Sequence, residues 1–195
     1  DTLSEAQKVL VDQASGALFP IANDVKIQVE FNPSMIAEYR LIGYETRALA
    51  REDFNNDKVD AGDIGAGHTV TAIYEITPVG SPALKADPLR YQTPANSDPS
   101  VELGYLKLLY KAPGQSESRL IETPISDSTA APDTEARFSA AVAGFGQLLR
   151  GDTKYLGDWT YQNAIALAVE AKGADPFGYR AEAVSLMRLA GSLAK

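Results

Sequence analysis

The chain has 195 residues, 45% hydrophobic and 23% charged, with a formal charge of -8 and a pI near 4.7. That balance is ordinary for a globular chain of one large or two small domains; it argues against nucleic acid, whose phosphates demand clustered Lys and Arg, and against an anionic membrane surface. The absence of cysteine excludes disulfides, zinc-thiolate sites and thiol catalysis, and there is no apolar run of membrane-spanning length.

Thr2 to Leu18 reads as a helix. Thr2 with Glu5, or Ser4 with Gln7, can supply a capping box, Ala6, Val9 and Leu10 form an apolar stripe, and Gly16 ends it. The chain opens in this helix without a methionine, so the expectation is the tail of a longer protein. Val25 to Phe31 then alternates strictly: Val25, Ile27, Val29 and Phe31 are expected on a buried face, Lys26, Gln28 and Glu30 on a wet one. Asn32-Pro33 is a turn. Ala37 to Glu45 reads as a strand covered on both sides, with Tyr39 and Leu41 opposite Ile42 and Tyr44. Further strands are expected at His68–Ile76, Leu103–Lys111 and Leu120–Ile125. Between them, Thr77 to Ser100 carries Pro78, Pro82, Pro88, Pro94 and Pro99 and reads as a long loop.

From about Pro132 the period becomes helical. Phe138, Val142, Phe145 and Leu149 form one stripe, closed by Gly151; Tyr161, Ile165, Ala168 and Val169 form a second, ending near Gly173. Tyr179, Ala183, Leu186, Ala190 and Leu193 form a third. The fold class expected is therefore α+β: an antiparallel β-sandwich-like domain over residues 23–126, a small three-helix subdomain over 127–195, and one helix within 1–22.

Candidate chemistry is sparse. The run Asp53, Asn55, Asp57, Asp60 and Asp63 places oxygen ligands at intervals, as a calcium loop would, but Lys58 and Ile64 stand where such a loop needs glycine and a bidentate glutamate. A solvated, turn-rich loop is the favoured reading, with no metal site assigned. His68, the single histidine, has no persuasive partner for a triad or a metal. Gly65-Ala-Gly67 is too short to cradle a phosphate. Trp159 and Tyr161 are expected to pack at the start of the second helix, and Tyr39, Tyr74 and Tyr110 on strand faces. Arg40, a charge inside an apolar strand with Glu45 nearby and Arg47 beyond, calls for a structural ion pair. No residue is assigned to catalysis or to a cofactor.

Several blocks carry a family resemblance. They are Ser4-Glu-Ala-Gln-Lys-Val-Leu-Val through Asp24-Val-Lys-Ile-Gln-Val-Glu-Phe-Asn-Pro33, Tyr39-Arg-Leu-Ile-Gly-Tyr-Glu45, Glu52-Asp-Phe-Asn55, Gly65-Ala-Gly-His-Thr-Val-Thr-Ala-Ile-Tyr-Glu75, Arg137-Phe-Ser-Ala-Ala-Val-Ala-Gly-Phe-Gly146 and Gly178-Tyr-Arg-Ala-Glu182. Together, in this order, they resemble the uncharacterised C-terminal region of bacterial von Willebrand factor type A domain proteins. The resemblance implies that residues 1–22 are the last helix of an upstream type A domain, which is then the expected partner within the same protein. It also implies a place in the bacterial cell envelope or periplasm. The Asp-x-Ser-x-Ser cation loop of type A domains does not occur here, so no cofactor is expected in this region.

The function expected is a non-catalytic module that scaffolds the type A domain and binds protein, with an unknown protein as second partner. The alternative is a carbohydrate-binding or hydrolytic domain of the envelope, which would bring exposed aromatics together with two carboxylates. About four or five strands are few for a closed sandwich. Missing strands are therefore expected upstream in the parent chain, or an exposed strand edge pairs two copies as a homodimer.

Overall fold

The computed structural model describes residues 6, 8–14, 16, 19–43, 48–59, 61–87, 102–127, 130–151 and 153–194. The capping residues Thr2, Ser4, Glu5 and Gln7, the strand end Tyr44-Glu45 and residues 88–100 of the proline-rich stretch lie outside them. The chain forms two compact units, Asp12–Thr129 and Asp1–Val11 with Ala130–Lys195. The class is α+β, with antiparallel sheets in the first unit and helices in the second.

The β unit contains β1 (Pro20–Phe31), β2 (Ile36–Ile42), β3 (Gly62–Gly65), β4 (Ile73–Pro78), β5 (Glu102–Lys111) and β6 (Ser118–Ser126). One sheet has the order β3-β1-β5-β6; β2 and β4 form a second, two-stranded sheet. β1 is longer than its alternation predicts: it opens on Pro20, a position where a strand tolerates the missing N–H. Asp24, at φ 51°, interrupts its pairing with β5 between Asn23 and Lys26, so the ladder restarts there. β3 was not legible, being glycine at both ends. The expected strand at His68–Ile76 begins only at Ile73; residues 68–72 are irregular and exposed.

Register sorts the large sheet into two faces. Ile27 lies opposite Leu108, which lies opposite Ile121; Phe31 lies opposite Gly104, which lies opposite Ile125. On the other face Lys26 meets Leu109 and Leu109 meets Leu120. The alternation at β1 is thus as expected, but the burial is not. Lys26, expected wet, is 2% exposed, while Ile27, expected buried, is 45% exposed. The reason is what lies over each face: the 51–59 segment covers the Lys26 side, whereas the β2–β4 sheet touches the apolar side at Phe31. There the Phe31 ring sits 4.6 Å from Tyr39 and 5.3 Å from Tyr74. β2 is likewise not covered on both sides, for Tyr39 remains 58% exposed.

The helical unit contains α1 (Thr134–Arg150), α2 (Thr153–Leu156), α3 (Tyr161–Glu170) and α4 (Tyr179–Leu193). The described residues of the N-terminal segment are helical, π-type over Lys8–Gln13 and α-type at Ala6, Ala14 and Gly16, with the Lys8 ammonium 4.0 Å from the Tyr179 ring centre. Ends are well made. Asp133 caps α1 by accepting from the Ala136 N–H at 2.7 Å, and Gly151 closes it in the left-handed conformation at φ 69°. Thr160 and Asn163 form a reciprocal capping box at α3.

The core of this unit is Ala141, Ala168, Val184 and Met187, with Phe138, Phe145, Ile165 and Leu167 packed around it. Small residues set the approach: a side chain at Gly144 would run into the Trp159 indole, and Gly191 lies against Tyr161. The bulky stripes hold in part: Phe138 and Phe145 of the first, and Ile165 and Ala168 of the second, pack at the core as expected. Val142, Leu149, Val169, Leu186 and Leu193, expected inside, are exposed: α4 turns Val184 and Met187 inward instead of its leucine row, and Ala141 and Ala168 are fully buried positions of α1 and α3.

Candidate functional site

Among the described residues of the β unit, several charges converge at a place built from β1, β5 and the 51–59 segment. The bulge at Asp24 turns its carboxylate toward two lysines. Lys111 at the end of β5 donates to Asp24 Oδ2 at 2.8 Å, and Lys26 Nζ lies 3.6 Å from Oδ1. Lys26 also donates to the backbone carbonyl of Asn56 at 2.7 Å, so its ammonium is held by the acidic loop that sequence reads as a solvated, turn-rich segment. Lys111 reaches Asp57 at 3.8 Å, and Asp57 accepts from the Ser118 hydroxyl at 2.9 Å.

Electrostatics follow from this arrangement. Burial pushes the Asp24 carboxyl up, but the Lys111 hydrogen bond and the charges of Lys26 and Lys111 outweigh it. The group is held below the usual carboxylate value. The buried lysine is compensated rather than free, as burial of a charge requires.

The five loop residues singled out by sequence do not act together. Asp53 accepts from the Asn56 side chain, Asp57 serves Lys111 and Ser118, and Asp63 accepts from the Asp24 backbone N–H at 3.1 Å. Asn55 is exposed, and Asp60 lies outside the described residues. Among the described residues no three acidic or histidine side chains stand where they could share a metal. Sequence reasoning missed Asp24, Lys26 and Lys111. The available signal was an Asp and a Lys two apart at a strand start, beside a loop with more carboxylates than local cations.

The remaining candidates are structural in their surroundings. The His68 ring lies against the Gly16 backbone, and a side chain at Gly65 would collide with the Gly16 carbonyl, which explains these glycines by close approach rather than anion binding. Arg40 is ion-paired as expected, but to Glu75 across the β2–β4 ladder, with Nε 2.7 Å from Oε2; Glu45 and Arg47 lie outside the described residues. Tyr39, Phe31 and Tyr74 form an aromatic group on the face opposite Arg40 and Glu75. Burial and the neighbouring Tyr39 raise the Tyr74 hydroxyl above its ordinary value.

In the helical unit, Trp159 and Tyr161 pack at the start of α3 as expected, Tyr161 edge-on to Phe145 at 6.1 Å. Arg180 is the junction sequence reasoning did not find. It bonds Glu135 Oε2 at 2.5 Å, donates to the Lys172 carbonyl at 3.2 Å and lies 4.8 Å over the Phe138 ring. The backbone N–H groups of Arg180 and Ala181 both donate to Asp175. Slight desolvation pushes the Asp175 carboxyl up, but these bonds and the charges of Lys172 and Arg180 prevail and hold it below the usual value.

Among the described residues no helix is long and apolar enough to cross a membrane. No solved structure matches the chain. It is 50% identical over 193 residues to "Uncharacterized protein YfbK" of Escherichia coli (strain K12), an alignment covering 97% of this chain and 33% of that protein. The chain thus spans about a third of the length of this curated relative. A family model described as "Uncharacterized protein YfbK, C-terminal" matches residues 16–193. With nearly all of both units inside that match, the chain belongs to the family of YfbK C-terminal regions.

Proposed function

We propose that this chain is a non-catalytic module that scaffolds a von Willebrand factor type A domain of the same polypeptide and binds protein, in the bacterial envelope or periplasm. The observation that carries the reading is where apolar side chains are left. Ile27 and Ile121 on the sheet, and Leu186, Leu189 and Leu193 along one face of α4, are exposed, while the main charge cluster is neutralised internally. Uncovered apolar surface beside self-satisfied charge suits association better than turnover.

Calorimetric titration of the chain with the separately expressed type A domain tests it. A strongly negative heat-capacity change is expected from apolar burial; absence of heat across temperatures contradicts it. The alternative, a carbohydrate-binding or hydrolytic domain, draws on the exposed Tyr39 beside Phe31 and Tyr74. It is weakened by Glu75 being committed to Arg40 on the other face. Oligosaccharide titrations of the chain and of Tyr39→Ala separate the two readings.

A further inference from the structure

The large sheet has an apolar row that stops at solvent on both sides. Ile27, Leu108 and Ile121 stand side by side across β1, β5 and β6, and the outer two are 45% and 49% exposed. The same face is covered at its Phe31 end, where Tyr39 and Tyr74 of the β2–β4 sheet meet it. A second sheet therefore begins over this face, with two strands among the described residues. Sheets that pack face to face need comparable breadth, so what the row lacks is more of that second sheet.

The edges say where it can be added. β6 carries Pro124 within its span, together with Arg119 and Glu122, the devices by which an edge strand refuses another chain. The chain's charge of -8 also opposes a second copy of itself. The β2–β4 sheet, with only two strands among the described residues, is the one left to be widened. In the E. coli relative the matched region is 33% of the protein, so the larger part of that polypeptide lies outside it and can supply strands.

We infer that, in the full-length gene product, the Ile27–Leu108–Ile121 row is covered by one or more β-strands from polypeptide outside these 195 residues, added to the β2–β4 sheet. This rests on the scaffold reading above and names its covalent partner: an extended segment of the same chain, whose tethering raises its effective concentration. The scaffold is then a composite sandwich whose second layer is completed by polypeptide outside these residues.

These 195 residues hold no cysteine, so labelling in the chain reports the introduced thiol alone, and any cysteine elsewhere in the full-length product is first replaced by serine. Ile121→Cys and, as control on the opposite face of β6, Glu122→Cys are placed in the 195-residue chain and in the full-length gene product, and maleimide labelling rates are compared. Ile121→Cys is expected to label about tenfold or more slowly in the full-length product than in the chain alone, with Glu122→Cys alike in both, because thiol reactivity follows exposure. Ile27→Cys, at the other end of the row, gives the same reading should Ile121→Cys fail to fold. Equal rates for Ile121→Cys in the two proteins overturn the inference and leave the binding reading to the calorimetric titration. Slow labelling in the 195-residue chain overturns it too: a second copy is the cover if the slowing grows with concentration, the chain itself if it does not. Slowing of Ile121→Cys and Glu122→Cys alike, or a gene product no longer than these residues, also overturns it.

Discussion

The two units solve the same problem to different degrees. The helical unit buries Val184 and Met187 among alanines and surrounds them with Phe138, Phe145 and Leu167. The β unit, among its described residues, fully buries only Ile36 and Phe54 of its apolar side chains, and the most buried of its larger side chains is a lysine. The two also differ in what holds them together. A sheet completes its ladder hydrogen bonds without its face being covered, whereas helices gain stability mainly from packing one another. A well-paired sheet can therefore wait for its second layer, and this one does.

The comparison can be broken at its strongest points first. Asp24→Asn keeps a residue type that tolerates φ 51° but removes the carboxylate that compensates Lys26. Its loss is expected to cost about 3–5 kcal/mol, read by urea unfolding of the β unit. Met187→Ala should cost about 2–5 kcal/mol in the helical unit, because its closed core cannot fill the gap. Lys26→Met is expected to be milder, about 1–3 kcal/mol, since Asp24 keeps Lys111 while the Asn56 carbonyl loses its donor and Asp24 Oδ1 its ion pair with Lys26. Ile121→Ala should cost about 1 kcal/mol or less in this chain, for a half-exposed side chain has little burial to lose. A cost for Ile121→Ala equal to that of Met187→Ala would erase the distinction between the units.

Acid sharpens it further. The Asp24 carboxyl has a folded-state value depressed below its ordinary 3.8, so its stabilising contribution is whole above that value and is lost as pH falls below it. Wild type should lose β-unit stability on acidification below about pH 4, and Asp24→Asn should lose less over the same range. Equal acid sensitivity in the two proteins would remove Asp24 from the account.

Much of the fold was legible and part of the burial was not. The strands β1 and β5 followed from alternation, and α1 from its stripe and Gly151, because those signals are local. β3 was hidden in an acidic, glycine-bounded run. The inside and outside of β1 were inverted at Lys26 and Ile27, since burial depends on what a loop and a second sheet cover, which no single strand encodes. The helix faces were legible in part: Phe138, Phe145, Ile165 and Ala168 lie at the core as expected, but in α4 the buried positions are Val184 and Met187 rather than the leucine row, a choice set by the neighbouring helices and not by the stripe itself. At the candidate site, Asp53, Asp57 and Asp63 were singled out for their spacing. The residue that organises the cluster, Asp24, is brought there by a bulge.

Native-state hydrogen exchange on the 195-residue chain tests the central claim most directly. The account predicts that backbone amides of α1, α3 and α4 around Ala141, Ala168 and Met187 exchange only through full unfolding of their unit, while those of β2 and β4 open at far lower free energy. Protection of β2 and β4 equal to that of the helices, in the chain alone, would mean that the β unit already has its second layer and would contradict the account.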